Sequence, residues 1–206
     1  MDHGLYISFL IVSFTLIIIP GPNILVIVSS SVQHGKIHGL QTVAGTSLAM
    51  AIQLLVVALG TTWLVEVLTG SFYFLKWAGV GYLFYLGFKY SMRALNSGNP
   101  LPAPKHSVSF VRGFIVSLTN PKTLLFFSAF LPQFISSTAN YVYQITLLSA
   151  SFLFIAIILD SAYAILSAKL LPLLQKNNKL PGLQNALSGI LYLCASIWLA
   201  TLRRIP

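Results

Sequence analysis

Three stretches of the sequence contain no charged residue, and each is long enough to cross a lipid bilayer. They are residues 4–33, 40–65 and 180–202. A helix of about 20 apolar residues spans the hydrocarbon core of a membrane. Only 7% of the 206 residues are charged and 56% are hydrophobic, whereas soluble domains average roughly 25% charged residues. The sequence therefore predicts an all-α polytopic membrane protein.

Three further stretches complete a prediction of six transmembrane segments. Residues 71–92 carry lysines only near their two ends, where long side chains can reach the lipid headgroups. Residues 110–134 contain Lys122, and residues 141–168 contain a single acid, Asp160. The first segment has no basic start and no cleavage pattern of small residues, so we interpret it as retained and not as a signal peptide.

The distribution of lysine and arginine predicts how these segments are oriented. Most of the basic residues lie in loops 33–40, 89–112 and 169–180, and none lies in the connections 66–71 and 135–141. By the positive-inside rule, the three basic loops face the cytoplasm. The net charge of +9 is then a signal of orientation and not of nucleic-acid binding. The side of the N-terminus stays open, because a re-entrant first segment would change it.

Two helix breaks occupy corresponding positions in the two halves of the chain. Residues 20–23 read Pro-Gly-Pro-Asn in the first segment, and residues 120–122 read Asn-Pro-Lys in the fourth. Proline removes a backbone donor and interrupts a helix. Because each half holds an odd number of segments, a duplicated half would be inverted in the membrane. We predict two inverted three-helix repeats with broken first helices, within one transporter domain over 1–206: repeat one over 1–95, a cytoplasmic linker over 96–109 and repeat two over 110–206.

The paired breaks predict a central cavity. Unwound backbone inside lipid is tolerated only where protein or water satisfies the freed groups. Half-helices that start near Asn23 and Lys122 would direct free N–H groups and partial positive charge at one shared space, which suits a carboxylate. Paired interrupted helices of this kind indicate the central site of a secondary transporter. For either break taken alone, a kink that only shapes the helix is the alternative.

Asp160 is the one acid deep inside a predicted segment, out of three acids in the sequence. An ionised aspartate at the centre of a membrane helix costs about 2.5–3.5 kcal/mol on insertion scales, and such residues mark ion or proton paths. We interpret Asp160 as a proton-coupling residue, with a structural ion pair to Lys122 or a hydrogen bond to a neighbouring helix as the alternative. A Lys122–Asp160 pair that opens to accept the ammonium and carboxylate of an amino acid would combine both roles. Lys122 could otherwise snorkel to the cytoplasmic surface.

Few other residues favour specific chemistry. Thr46 and Gln53 are candidates for substrate contact, with close helix packing as the alternative. His34 and His38 are four residues apart, but the adjacent glycines argue against a metal pair. The sequence has no nucleotide-binding loop, no Ser/His/Asp constellation and no zinc-type spacing. We therefore expect no enzyme, cofactor or metal site, and a transporter driven by an ion gradient.

Four features resemble the LysE/RhtB family of bacterial amino-acid exporters. They are PGPN at 20–23, GYLFYLG at 81–87, TNPKTLLFFSAFLPQF at 119–134 and Asp160. The resemblance implies an inner-membrane protein of six segments that exports amino acids in exchange for protons, often as a homodimer. Carried over by position, it implies proton coupling by Asp160 and a substrate site formed by Gly21, Pro22, Asn23, Asn120, Pro121 and Lys122.

The resemblance leaves the substrate open. Ala49 and Gln53 stand where many members have a glycine and a polar or histidine residue. The sequence has no second buried acid for a cationic side chain, which favours threonine, homoserine or homoserine lactone over lysine and arginine. An exporter of basic amino acids, or of metal or inorganic ions, is the alternative within the superfamily. A channel-like or structural membrane protein is the other alternative, although it predicts neither paired breaks nor an isolated acid.

Overall fold

In a computed structural model, the placement of residues 3–59, 62–95, 106–136, 140–169 and 183–201 is described. All regular secondary structure in these residues is helical, without a β-strand. A π-helical turn over Phe126–Phe130 and a 3-10 turn over Leu131–Phe134 follow α6. The helices are α1 (His3–Ile18), α2 (Pro22–His34), α3 (Lys36–Ala58), α4 (Thr62–Leu95), α5 (His106–Leu118), α6 (Pro121–Leu125), α7 (Tyr141–Ala168) and α8 (Leu183–Thr201).

The distribution of polar and apolar side chains is the reverse of that in a soluble domain. Large apolar residues such as Ile11 and Phe154 are more than 60% exposed, at 62% and 67%. Asparagine, glutamine, serine and threonine side chains lie in the interior instead, among them Gln53 and Gln144. Exposed apolar surface together with buried polar groups is the informative exception in water. It is the expected arrangement for helices that lipid surrounds.

Within the described residues, two helices are long and apolar enough to cross a membrane by themselves, namely α3 and α7. The pair α1 and α2 forms a third candidate span, bent by 50° at the break. Apolar portions of α5 and α8 are shorter, and α4 has 34 residues but carries several tyrosines, glycines and lysines. The architecture is therefore that of a helical polytopic membrane protein, with fewer clear spans than the six that the sequence predicts.

Two pairs of helices from different predicted halves run parallel. Helix α1 is parallel to α7, and α3 is parallel to α5. The Tyr6 and Ser151 hydroxyls are 2.8 Å apart, and one helix length further on Tyr163 contacts the backbone of Ile18, so α1 and α7 are parallel. Helices α3 and α5 are parallel by the same criterion, because His38 meets Ser109 and Thr46 meets Ser117. Both directions agree with a chain that crosses the membrane alternately.

Helices α4 and α8, which the predicted repeat makes equivalent, run antiparallel. Gly79 packs on Leu199, and Gly87, two turns later in α4, packs on Leu193. A duplicated helix that enters the membrane from the other side has this direction. The contact is close because glycines at the crossing let the two backbones approach.

The tightest crossing joins α3 and α5 and also depends on glycine. A Cβ atom at Gly45 would collide with the carbonyl of Phe110, and one at Gly113 would collide with the carbonyl of Thr42. Glycine therefore sets the distance between these helices. Ser109 and Ser117 lie one turn on either side of Gly113 and continue the same small-residue face of α5.

Aromatic side chains fill the space around the π-helical turn. Phe127 packs edge-on against Phe152 of α7 at 4.8 Å between ring centroids, and Phe126 lies 5.3 Å from the same ring. Phe9 of α1 packs on Phe126 at 6.1 Å. This cluster fixes the broken fourth segment against α1 and α7, which positions the cavity described below.

The helices extend further into the predicted loops than the sequence suggested. Gly35 alone separates α2 from α3, with a φ of 86° that favours glycine, so the predicted loop 33–40 is wrong in extent. Helix α5 begins at His106, so the ends of linker 96–109 and loop 89–112 are helical, as is the connection 66–71. The polar residues that suggested loops are buried: His38 pairs with Ser109 at 3.1 Å. Residues 96–105 and 170–182 lie outside the described part.

Candidate functional site

The two helix breaks meet in the interior through their asparagines. The side-chain amide of Asn120 donates a 2.9 Å hydrogen bond to the side-chain carbonyl of Asn23. The amide of Asn23 in turn donates to the Ser117 hydroxyl at 3.1 Å, and that hydroxyl donates to the backbone carbonyl of Thr46 at 3.1 Å. Both asparagines and Ser117 are buried. The network therefore joins the breaks of both predicted halves to α3.

Each break starts a new helix, with proline at its first position. Proline suits that position because the first N–H of a helix has no partner within the helix. At the second break, the Asn120 side chain caps α6 by accepting from the backbone N–H of Lys122 at 3.1 Å. At the first break, Gly21 has an extended backbone and provides no side-chain cap for α2. The first backbone N–H groups of α2 therefore keep their capacity for a ligand.

The carbonyl groups freed at the end of α1 are satisfied from the other half of the chain. The ammonium of Lys122 donates to the Ile19 carbonyl at 2.7 Å, and the hydroxyl of Tyr163 donates to the Ile18 carbonyl at 2.9 Å. A cation is favourable there, because the C-terminal end of a helix carries partial negative charge. Lys122 thus crosses from the start of α6 to the end of α1 and does not add to the positive end of its own helix.

A glutamine performs the same task at the second break. The side-chain amide of Gln53 donates to the carbonyls of Ser117 and Leu118, each at 3.1 Å. These two residues end α5. Gln53 is 1% exposed, so its position on α3 replaces the hydrogen bonds that Pro121 removes. Each break is therefore stabilised by side chains from a helix distant in sequence.

One small cavity lies between the breaks and α7. Its volume is about 30 Å³, close to the roughly 30 Å³ that one water molecule occupies in the liquid. Apolar residues of α1, α2, α3 and α7 form much of its wall. Its polar lining consists of Gly21, Asn23, Asn120, Lys122, Thr123 and Asp160.

Asp160 and Lys122 face each other across this cavity without a direct ion pair. Asp160 is 3% exposed, and Lys122 is the charge that acts on it. The ammonium of Lys122 is hydrogen-bonded to the backbone of Ile19 instead. Among the described residues, no group donates a hydrogen bond to the Asp160 carboxylate. Lys122 and Asp160 therefore do not form the structural ion pair considered above, and the carboxylate can interact with a ligand or a proton.

The structure brings most of the predicted substrate residues together, but not all of them. Gly21, Asn23, Asn120 and Lys122 share the cavity with Asp160, while Pro22 and Pro121 begin α2 and α6. Thr46 is buried outside the cavity lining, and its hydroxyl donates to the Val43 carbonyl of its own helix at 2.9 Å.

Two other expectations concern metal binding. The His34 and His38 rings lie 5.4 Å apart between centroids. In the described parts of the chain, no group of three or more histidine, cysteine or acidic residues is placed to hold a metal ion.

Three polar residues at the site were not singled out from the sequence: Ser117, Tyr163 and Thr123, which lines the cavity one turn after Asn120. Ser117 lies one turn before Asn120, and Tyr163 lies one turn after Asp160 on the same helix. Polar side chains spaced by one turn from a break or from an intramembrane acid share its face. That spacing was the available signal, although it could not show which backbone carbonyl Tyr163 reaches.

Comparison with known proteins gives a family and one relative with a stated activity. The LysE type translocator family matches residues 14–202. The homoserine/homoserine lactone efflux protein of Salmonella typhimurium is 26% identical over 205 residues, which cover 98% of this chain and 99% of that protein. No solved structure matches the chain.

Two relatives carry no assigned activity. An uncharacterized membrane protein of Pseudomonas aeruginosa is 34% identical over 156 residues, 72% of this chain and 69% of that protein. An uncharacterized membrane protein of Vibrio cholerae is 27% identical over 203 residues, 98% of each chain. Since the family match covers residues 14–202, the chain belongs to the LysE type translocator family.

Proposed function

We propose that this membrane transporter exports small amino acids such as threonine and homoserine, or homoserine lactone, from the cytoplasm, in exchange for protons. Its family is one of translocators and not of enzymes. One observation carries the proposal. The two helix breaks meet through the Asn23–Asn120 hydrogen bond at a cavity that also holds Asp160 and Lys122.

The charges around the cavity complement a zwitterionic amino acid. In the proposal, the substrate ammonium binds the Asp160 carboxylate, which has no hydrogen-bond donor among the described residues. The substrate carboxylate binds Lys122 and the uncapped first N–H groups of α2, because a helix N-terminus favours an anion. Asn23 and Asn120 orient the substrate between these two charges.

Proton exchange follows if the substrate and the proton compete for one carboxylate. Asp160 can neutralise an ammonium only while it is ionised, so binding of the amino acid releases a proton. Release of the amino acid on the other side leaves a buried charge with no donor, which favours uptake of a proton there. Such competition produces antiport without a second titratable residue.

The cavity volume indicates that transport requires opening of the site. About 30 Å³ holds a water molecule, whereas pockets for small organic ligands are roughly 300–1,000 Å³. We therefore interpret this conformation as one in which the site is too narrow to hold an amino acid. The parallel and antiparallel helix directions and the two matched breaks support alternating access by two inverted three-helix repeats.

The proposed orientation is that of a bacterial inner-membrane protein with six segments. The bend of 50° between α1 and α2 leaves the two half-helices running in the same general direction, which supports a broken span more than a re-entrant loop. Basic loops around Lys36, at 89–112 and at 169–180 would then face the cytoplasm, with the N-terminus on the other side. The homodimer implied by the resemblance remains a prediction that cross-linking in membranes tests.

Two observations favour a small neutral substrate. Among the described residues, Asp160 is the one carboxylate in the cavity lining, so a cationic side chain finds no second acid there. The full-length relative from Salmonella typhimurium is a homoserine/homoserine lactone efflux protein. Export of basic amino acids or of a metal ion is the alternative, and it requires acidic or metal-binding side chains that the described cavity does not provide.

Inside-out membrane vesicles with an acidic lumen test this function. We expect added threonine, homoserine or homoserine lactone to dissipate the pH gradient in vesicles with the wild-type protein, and lysine or arginine to have no effect. Vesicles with equal amounts of Asp160→Asn should keep the gradient. A wild-type protein that responds to none of these three substrates would refute the proposal, as would an unchanged response in Asp160→Asn.

A further inference from the structure

A second buried polar cluster lies at the opposite end of α2 from the cavity, and its centre is Arg112. This arginine was interpreted from the sequence as a solvated loop residue, but it lies in α5 and is 5% exposed. Its guanidinium donates a 2.8 Å hydrogen bond to the hydroxyl of Tyr192, whose ring centroid is 5.6 Å from the guanidinium carbon. Tyr90 stacks on Tyr192.

Arg112 has no carboxylate partner among the described residues. Asp160 lies at the other cluster, with Lys122 as its charge partner. Glu66 lies sixteen residues before Tyr82, the α4 residue that interacts with Arg112, which places it about 24 Å away along the helix. Asp2, the third acid, lies outside the described residues. A buried cation without a counter-charge is unfavourable, so an anionic ligand would stabilise this site.

Several polar atoms around Arg112 have unfilled hydrogen-bonding capacity. The Nε of Arg112 and both ring nitrogens of His34 are buried without a partner, and His34 interacts electrostatically with Arg112. The buried hydroxyl of Ser188, one turn before Tyr192 on α8, is also without a partner. Buried polar atoms in native proteins nearly always have partners. This cluster therefore offers several buried polar atoms to which a ligand can bind.

The cluster and the cavity lie at two ends of one helix interface. His34 is eleven residues after Asn23 on α2, which corresponds to about 16 Å along the helix. Helix α5 likewise ends near the cavity at Ser117 and carries Arg112 toward the other end. Hydroxyl groups continue between them, since Thr42 of α3 donates to Ser30 of α2 at 3.0 Å. A polar seam thus joins the two clusters.

We propose that Arg112, His34 and Tyr192 form a second substrate site, which binds the carboxylate of the amino acid before it reaches the central cavity. This assignment rests on the proposed function, because the positive-inside rule places the His34 end of α2 at the cytoplasmic side. The buried Nε of Arg112 is the guanidinium donor without a partner, and it can form a charge-assisted hydrogen bond to one carboxylate oxygen. The ligand class is a small carboxylate monoanion.

Homoserine and homoserine lactone provide a matched pair of substrates for the test. Both have an ammonium group, but the lactone has no free carboxylate. Initial rates of substrate-driven proton flux are measured in inside-out vesicles, for the wild-type protein, Arg112→Gln, Arg112→Lys and the control Lys89→Gln. Lys89 is an exposed cation on α4 that lies over the Tyr85 ring, so the control removes one charge without touching the cluster.

We expect Arg112→Gln to raise the KM for homoserine about tenfold, the loss of one charge-assisted contact, and to leave the KM for the lactone unchanged. Arg112→Lys should give a smaller increase, and it replaces Arg112→Gln if that variant is not inserted. Equal increases for both substrates would indicate a structural role and overturn the site. No increase for homoserine would overturn it as well.

Sidedness separates this site from the carboxylate contact proposed for Lys122. When homoserine is presented at the opposite face, in right-side-out vesicles, Arg112→Gln and the wild type should have the same KM. Lys122→Gln should raise the KM for homoserine at both faces. If wild type transports neither substrate, the proposed function fails, and acetate binding to the purified protein decides the Arg112 site. Arg112-dependent acetate binding then supports a carboxylate site, and binding of chloride but not acetate overturns it.

Discussion

The side chains of Asn23 and Asn120 are hydrogen-bonded at 2.9 Å although 97 residues separate them in sequence. Each asparagine follows or precedes the proline that breaks its helix, so the bond joins equivalent points of the two predicted repeats. Because Asn23 also donates to Ser117 and Asn120 also caps α6, neither side chain can move without affecting the other break.

A double-mutant cycle on these asparagines tests whether the breaks form one site. Asn23→Ala and Asn120→Ala should each lower the apparent affinity for homoserine about tenfold. The double variant should lower this affinity by much less than the product of the two single effects. Directly bonded residues show coupling of about 0.5–3 kcal/mol. The measurement is the KM for substrate-driven proton flux in vesicles.

Ser128→Ala is the control for this cycle, because it removes an exposed hydroxyl that bonds only within its own segment. Strictly additive effects of the two asparagine substitutions would contradict a shared site.

Lys122 and Tyr163 both satisfy carbonyls at the end of α1, but only Lys122 lines the cavity. Tyr163→Phe should therefore lower the thermal stability of the purified protein with little change in KM. Loss of the hydrogen bond to the Ile18 carbonyl costs about 0.5–1.5 kcal/mol. Lys122→Gln should lower stability and also raise the KM for homoserine. Equal kinetic effects of the two substitutions would show that Lys122 acts only as a helix cap.

Gln53 has the corresponding task at the second break, so Gln53→Leu should destabilise the protein. The substitution removes the donor to the Leu118 carbonyl, at a cost of about 1–3 kcal/mol, whereas the Ser117 carbonyl keeps the backbone N–H of Asn120 at 3.1 Å. Gln53→Glu should be worse, because it replaces the donor by a second acceptor. Thermal unfolding monitored by circular dichroism measures the change, and unaltered unfolding of Gln53→Leu would contradict the capping role.

The α3–α5 crossing predicts different outcomes for three glycines. Gly45→Ala and Gly113→Ala should each destabilise the protein by about 1–3 kcal/mol, because the new methyl group would collide with a backbone carbonyl of the neighbouring helix. Gly81→Ala is the matched control, since nothing lies within 4 Å of a Cβ atom there. It should be neutral or slightly stabilising. Thermal unfolding of the three variants in one detergent compares them, and similar losses at all three positions would refute the packing argument.

The sequence predicted the helical membrane class and the residues at the breaks because both depend on composition and on proline chemistry. Long uncharged runs have one stable solution in lipid, and Pro20, Pro22 and Pro121 interrupt a helix wherever they occur. It did not predict which groups satisfy the interrupted backbone. Those partners, such as Tyr163 and Gln53, come from helices that are adjacent only after folding.

Helix ends were the least accurate part of the prediction. His38, Ser109 and Arg112 looked like loop residues because they are polar, but each is buried and paired with another polar group. Pairing of this kind removes the penalty for burying a polar side chain, so the helices continue through these positions. A pattern of polarity along one sequence does not show such pairs.

The single-residue connection at Gly35 affects how the site can open. With one residue between them, and with Gly39 in close contact with Ser31, α2 and α3 have almost no freedom to change their relative angle, and they form a rigid hairpin. Asn23 lies far from this turn and Gln53 lies far along the other arm, so a small rotation of the hairpin as a whole displaces both breaks together. Opening of the first break is thereby mechanically coupled to opening of the second, whichever side of the membrane the substrate comes from.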